Sequence, residues 1–210
     1  MITLKEAIQI IEDVARSKHG VKPSFDSGTV MLALMRIDEE KTIGRPSLMK
    51  SLNLHEAQAK TLIKRLKESG LVTSDRVLGL SLTEKGKSVL ESVKSVVTLS
   101  KECVEIATLG WTTAGAVISQ GAKLLNKMSV SSLRDLGVSL GAQAVLLVVK
   151  EGGELVMPPR SLNEDETVRS IRIEITKKFD LKDGDLLTLV TPCDKTLLSK
   201  IVLSYAKLLD

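Results

Sequence analysis

Between Lys41 and Lys67 the chain carries seven cationic side chains, Lys41, Arg45, Lys50, Lys60, Lys64, Arg65 and Lys67, against one carboxylate, Glu56. The chemistry open to such a stretch is neutralisation of a polyanion, because each lysine or arginine that meets a phosphate releases a condensed counterion. Arg45, Lys50, Lys60 and Lys64 are expected phosphate ligands, which supply affinity without sequence information. Shorter polar groups lie among them. Gln58 carries the amide that pairs with an adenine edge, Glu56 can accept from the amino group of cytosine, and Thr61 falls on the same outward side. Arg76, at the tip of a short turn, is expected to touch the duplex backbone or enter the minor groove. His55 stands where a helix should begin and is read as its cap before it is read as a base contact. The plainer reading of the same charge run is a solvated helix face.

Other chemistry finds little equipment. The two histidines, His19 and His55, lie in the first half with no cysteine or second histidine at ligand spacing, so neither a zinc site nor a His-dependent nucleophile is expected. The glycine-rich pieces do not follow phosphate-loop or dinucleotide-fingerprint spacing. Asp165 and Glu166 open a helix, where carboxylates favour the dipole. We therefore expect no enzyme, no metal and no cofactor. Four aromatics, Phe25, Trp111, Phe179 and Tyr205, make no stacking platform for single-stranded nucleic acid. Cys103 and Cys193 read as small buried hydrophobes, which with the absence of a secretory pattern at the start points to a reducing cytoplasm. No apolar run approaches the roughly 20 residues of a membrane span, so no membrane partner is expected.

The elements that must position these groups can be read from periodicity and caps. Thr3-Leu4-Lys5-Glu6 has capping-box spacing. A helix over 4–17 should bury Ala7, Ile8, Ile11, Val14 and Ala15, either within its own domain or on a partner subunit, and should end at Gly20 and Pro23. A second helix covers 29–38. A short one opens at Gly44-Arg45-Pro46-Ser47 and ends near Leu52. After the turn Asn53-Leu54-His55, a longer helix runs from Glu56 to Ser69 and stops at Gly70. There Ala59, Leu62, Ile63 and Leu66 should face inward and Glu56, Gln58, Lys60, Thr61 and Lys64 outward. Strands at 71–73 and 78–82 flank the turn at Asp75-Arg76, and a helix beginning near Thr83 should continue to about Ala107. Its residues Val89, Val93, Val96 and Cys103 have heptad-like spacing and are a candidate seam for a homodimer.

Charge divides the chain. Residues 1–98 hold sixteen basic and twelve acidic side chains, whereas residues 99–210 hold fourteen of each. The expected organisation is a winged helix-turn-helix domain with an extra N-terminal helix over 1–98, a linker or connecting helix over 99–110, and an α+β domain over 111–210.

Three landmarks carry a resemblance. They are the short-turn helix pair from Ile43-Gly44-Arg45 to Leu52-Asn53-Leu54, the exit Leu66-Lys67-Glu68-Ser69-Gly70-Leu71-Val72, and Leu82-Thr83-Glu84-Lys85-Gly86 after the second strand. In this order they resemble the winged helix-turn-helix of prokaryotic transcription regulators. The resemblance implies double-stranded DNA as partner, with the second helix of the pair entering the major groove. The wing is short, so minor-groove contact should be weak, and no arginine stands in the first turn of the recognition helix.

The second half reads as a strand over 112–119, a short helix or loop over 121–126, a helix over 131–140 capped by Ser131, and a buried strand over 144–149. A hairpin turn at 150–154 leads to a strand over 155–157, a helix over 165–179, a strand over 186–191 and a helix over 195–209. This β-α-β-β-α-β-α order suggests an antiparallel or mixed sheet with helices on one side, ferredoxin-like in outline. Leu133-Arg134-Asp135, Leu140-Gly141-Ala142, Gly152-Gly153 and Leu155-Val156-Met157-Pro158 resemble an uncharacterised domain that follows a winged helix in archaeal proteins. That resemblance implies no activity. Together the readings predict a cytoplasmic, sequence-specific regulator, with a C-terminal domain that senses an unidentified small-molecule effector or mediates assembly. The alternative is a winged helix that docks onto a protein complex.

Overall fold

A computed structural model describes residues 2–17, 23–159 and 165–209. The chain is α+β and divides into two compact units, 1–94 and 95–210. Gly20, to which the sequence assigns the end of the first helix, lies outside the described residues, as does His19.

The first unit begins with α1, Leu4–Ala15, whose start is the expected capping box: the Thr3 hydroxyl accepts from the Glu6 amide while the Glu6 carboxylate accepts from the Thr3 amide. Ala7, Ile8, Ile11 and Val14 are buried within this unit, so α1 covers its own domain. α2, Ser27–Glu40, is capped by Asp26. α3, Arg45–Ser51, carries Pro46 in its first turn, and α4, Glu56–Glu68, follows after the tight turn. β1, Val72–Asp75, and β2, Gly79–Leu82, form an antiparallel hairpin, and α5, Glu84–Lys94, returns to pack on α1 and α2.

The expected helix to residue 107 is corrected here. α5 stops at Lys94, and the segment read as a connecting helix instead forms two strands, β3, Val97–Leu99, and β4, Val104–Ile106, both paired antiparallel with β5, Trp111–Ile118. Val96-Val97-Thr98 is a β-branched run, which favours a pleated, half-buried surface over a helix. The expected dimer seam goes with it: Val89 and Val93 are buried in the first unit, Val96 lies in the turn before β3, and Cys103 is bonded to Cys193.

The second unit continues with α6, Val130–Ser139, β6, Ala144–Glu151, β7, Glu154–Val156, α7, Glu166–Lys178, β8, Leu186–Thr191, and α8, Lys195–Ala206. Residues 121–126, left between helix and loop by the sequence, form a 3-10 turn. The cap of α6 is Ser129, not Ser131. The sheet order is β3-β5-β8-β6-β7, with β4 also on β5 and every ladder antiparallel. β5 and β6 therefore run parallel without being neighbours, a split crossover of the ferredoxin-like kind in which the last strand, β8, is the one inserted. The helices do not share one side. Alternate residues Leu146, Val148, Leu187 and Leu189 pack with Ile171 and Ile175 of α7. Val145, of opposite parity, faces α6 beside Ile201 and Tyr205 of α8. Near-continuous apolar runs in β6 and β8, rather than alternation, are what a sheet buried on both faces requires.

The two cysteines correct the reading of buried hydrophobes. Cys103 and Cys193 form a disulfide across 90 residues, joining the β3–β4 loop to the β8–α8 loop.

Candidate nucleic-acid interface

The local sequence explains why α3 and α4 are held as a pair. Leu48 of α3 and Ala59, Leu62 and Leu66 of α4 are fully buried, and the intervening turn places Asn53 at φ 51°, a conformation asparagine adopts at low cost. The hairpin after α4 is tied to the start of the pair. Ile43 and Leu80 exchange both backbone hydrogen bonds, at 2.9 and 2.8 Å. Gly79 sits at φ 93° in this junction, where a Cβ would stand 2.6 Å from the Ile43 carbonyl oxygen. The Leu-Thr-x-x-Gly landmark has a similar cause. The Thr83 hydroxyl donates to the Gly70 carbonyl and accepts from the Gly86 amide. A Cβ on Gly86 would lie 2.1 Å from the Leu71 carbonyl oxygen.

With the apolar side of α4 turned inward, its outer side presents Glu56, Ala57, Lys60, Thr61 and Lys64, all exposed. Arg45 and Lys50 of α3 and Arg76 in the β1–β2 turn are exposed too. Among the described residues, the side chains of Arg45, Lys50, Lys60 and Arg76 have no hydrogen-bond or ion-pair partner. Lys64 lies 3.8 Å from Glu68 with its side chain 74% exposed, a pairing that solvent makes weak. The Thr61 hydroxyl donates to the Ala57 carbonyl and keeps lone pairs to offer. His55 is the N-cap residue of α4, exposed, with its amide donating to Gln58 Oε1 at 2.9 Å.

Three cations of the basic stretch and one polar residue do other work, Lys67 by donating to the Ser74 hydroxyl at 2.7 Å. Arg65 is buried and donates to the Val14 and Arg16 carbonyls at the end of α1, so it holds the fold together. Lys41 pairs with Asp38, whose carboxylate is held below its ordinary range first by Lys94 and then by Lys41. Gln58 is half-buried, and besides accepting from His55 its amide nitrogen donates to the Ser24 carbonyl at 3.3 Å. Both ends of its amide are thus engaged in starting the helix, with one N–H and one lone pair left over for the adenine contact that the sequence suggests.

Sequence reasoning missed two features of this surface. Ala57 lies between Glu56 and Lys60 on the exposed side of α4, a position that helical spacing would have disclosed. Val77 and Leu78 at the hairpin tip are 91% and 65% exposed. Their place in the turn between the two strands was the available signal, because a hairpin tip projects away from the core. Asp75 shapes this tip by accepting from the Val77 and Leu78 amides, and those bonds, that to Leu78 first, lower its pKa.

In comparison with known proteins, two family models each match part of the chain. Residues 31–97 match the model of the CggR N-terminal DNA binding domain, and residues 109–209 match a domain of unknown function, DUF4443. The two matches support a two-domain protein resembling a transcription regulator. No curated protein sequence matches the chain. Among solved structures, a hypothetical protein from Pyrococcus horikoshii OT3 is 20% identical, with a TM-score of 0.63 over 87% of this chain and 90% of that one. At that identity the likeness is one of fold.

Proposed function

We propose that this protein is a sequence-specific regulator of transcription that binds double-stranded DNA through the first unit. The observation that carries the reading is the free cationic set Arg45, Lys50, Lys60 and Arg76, with Lys64, on one helix-turn-helix and hairpin whose apolar side is buried. The match of residues 31–97 to a DNA-binding domain supports it. α4 enters the major groove, and the lysines and Arg45 contact phosphates on either side. Glu56, Thr61 and the Ala57 methyl face the bases, the methyl suited to thymine. His55 and Arg76 lie at the edges of this footprint. The second unit serves ligand sensing or assembly. Homodimerisation belongs to the reading because two-fold half-sites are the usual target of such pairs, though the Val89–Cys103 seam does not supply the surface. Catalysis is no part of it. Cytoplasmic residence follows from the proposed DNA role and no longer from free thiols.

The test is selection of bound fragments from a random duplex pool across a salt series. One recurring motif, retained as salt rises from about 50 to 200 mM, supports the proposal. Recovery of unrelated fragments, lost together as salt rises, would contradict it.

A second reading, a protein-docking module, draws on Val77 and Leu78 at the hairpin tip, which the rest of the unit leaves uncovered. Replacing both with serine would then abolish association with the protein complex while leaving any duplex binding intact.

A further inference from the structure

A cavity of about 360 Å³ opens in the second unit between the β6–β7 hairpin and α7, a size at the lower end of small-molecule sites. Its floor is the outer edge of the core on that side of the sheet. Leu155 and Leu181 are buried there and Phe179 is half-buried. Ile173, which also lines it, is left 50% exposed. This apolar floor meets a basic rim. Lys150 enters from β6, Lys177 and Arg172 enter from α7, and Glu154 is the one carboxylate of the lining. Neither the Lys150 nor the Lys177 ammonium has a partner among the described residues. The lip is held in shape by the Gly153 amide, which donates to Asp183 Oδ1 at 2.9 Å.

We propose that this cavity binds a small amphipathic anion, an apolar body of a few carbons ending in a carboxylate or a similar group. The apolar body covers Ile173, Leu155 and Phe179, removing from water the surface that the fold leaves wet. The anion lies between Lys150 and Lys177, where the lining carries more positive than negative charge and the apolar floor weakens solvent screening. A cation of the same shape meets the same floor and the opposite electrostatics, so sign discrimination is the signature of the site. This inference does not depend on the DNA reading, and its failure would leave that reading untouched.

The probes are octanoate and octylammonium, titrated separately into the ¹⁵N-labelled full chain and followed by amide chemical shifts. Octanoate should shift the Gly153, Ile173 and Lys177 amides saturably, with octylammonium weaker by about tenfold or more. The double variant Lys150→Glu, Lys177→Glu should reverse that preference while the remaining spectrum is preserved. Ile173→Asp, at a half-exposed position that does not support the core, should weaken octanoate without unfolding the unit. Equal binding of the two probes, shifts elsewhere in the chain, or no saturable shift with octanoate would each overturn the proposal.

Discussion

The Arg65 guanidinium lies over the Phe25 ring, 5.8 Å from its centroid, while one of its nitrogens donates to the Val14 and Arg16 carbonyls at the end of α1. A cation at that end also meets the negative pole of the helix. This buried cation of the basic stretch is therefore a clamp between α4, α1 and the segment before α2. Arg65→Met keeps the apolar stem and removes the donors, stranding two carbonyls. It should lower the stability of the first unit by about 2–3 kcal/mol, the loss expected for hydrogen bonds to a charged group. Chemical denaturation measures this, and a midpoint equal to that of the parent would refute the clamp.

Lys60 and Lys64 lie one helical turn apart on the exposed side of α4. Alanine at both should weaken binding to all duplexes alike. The slope of log affinity against log salt should fall by about 2, close to one for each phosphate that is no longer neutralised. Lys41→Ala serves as the comparison, because Lys41 is held by Asp38, and its slope should stay near that of the parent. Unchanged affinity in the Lys60, Lys64 variant counts directly against the proposed footprint.

Gln58 separates helix starting from base reading. Gln58→Ala removes the acceptor for the His55 amide and the donor to Ser24, and should cost about 1 kcal/mol of stability, in the range of a removed cap. The selected DNA motif should keep its base preferences. A changed preference at one position with stability intact would restore Gln58 to the bases.

The disulfide closes a long loop in the second unit, between residues 90 apart. Its stabilisation arises chiefly by limiting the unfolded chain and should reach about 4.6 kcal/mol in the chain-entropy account. Cys103→Ser, Cys193→Ser should lower the melting temperature of this unit. Added reductant should do the same to the parent and nothing further to the variant. Alkylation of both thiols in protein that has never met reductant would show the bond absent.

Asp38 sets an acid dependence. Lys94 Nζ lies 2.6 Å and Lys41 Nζ 3.2 Å from its oxygens, and together they hold its pKa below 3.8. A carboxylate lowered on folding stabilises the protein above its unfolded pKa and loses that contribution as pH falls through the folded value. The contribution should thus be complete above about pH 5 and fade below it. Asp38→Asn should lower stability near neutrality and flatten the acid limb. Parallel stability–pH curves for the two proteins would remove Asp38 from that account.

Much of the first unit was legible from local signals. The cap at Thr3, the stop at Gly70 and the 3.6-residue spacing of Ala59, Leu62 and Leu66 act within a few residues, so they carry their meaning in linear sequence. The exposure of Lys60 and Lys64 follows from the burial of those same three residues. Partnership is different, because it depends on groups distant along the chain. Arg65 looks like any other cation until α1 brings two carbonyls to it across about fifty residues. Cys103 and Cys193 read as separate hydrophobes until β5 and β8 pair and bring their loops together. The segment 97–106 had to choose between extending α5 and pairing with β5, and only the strand it pairs with decided that choice. The amphipathic cavity against α7 belongs to the same class, since β6, β7 and α7 each contribute part of its wall and none reveals it alone.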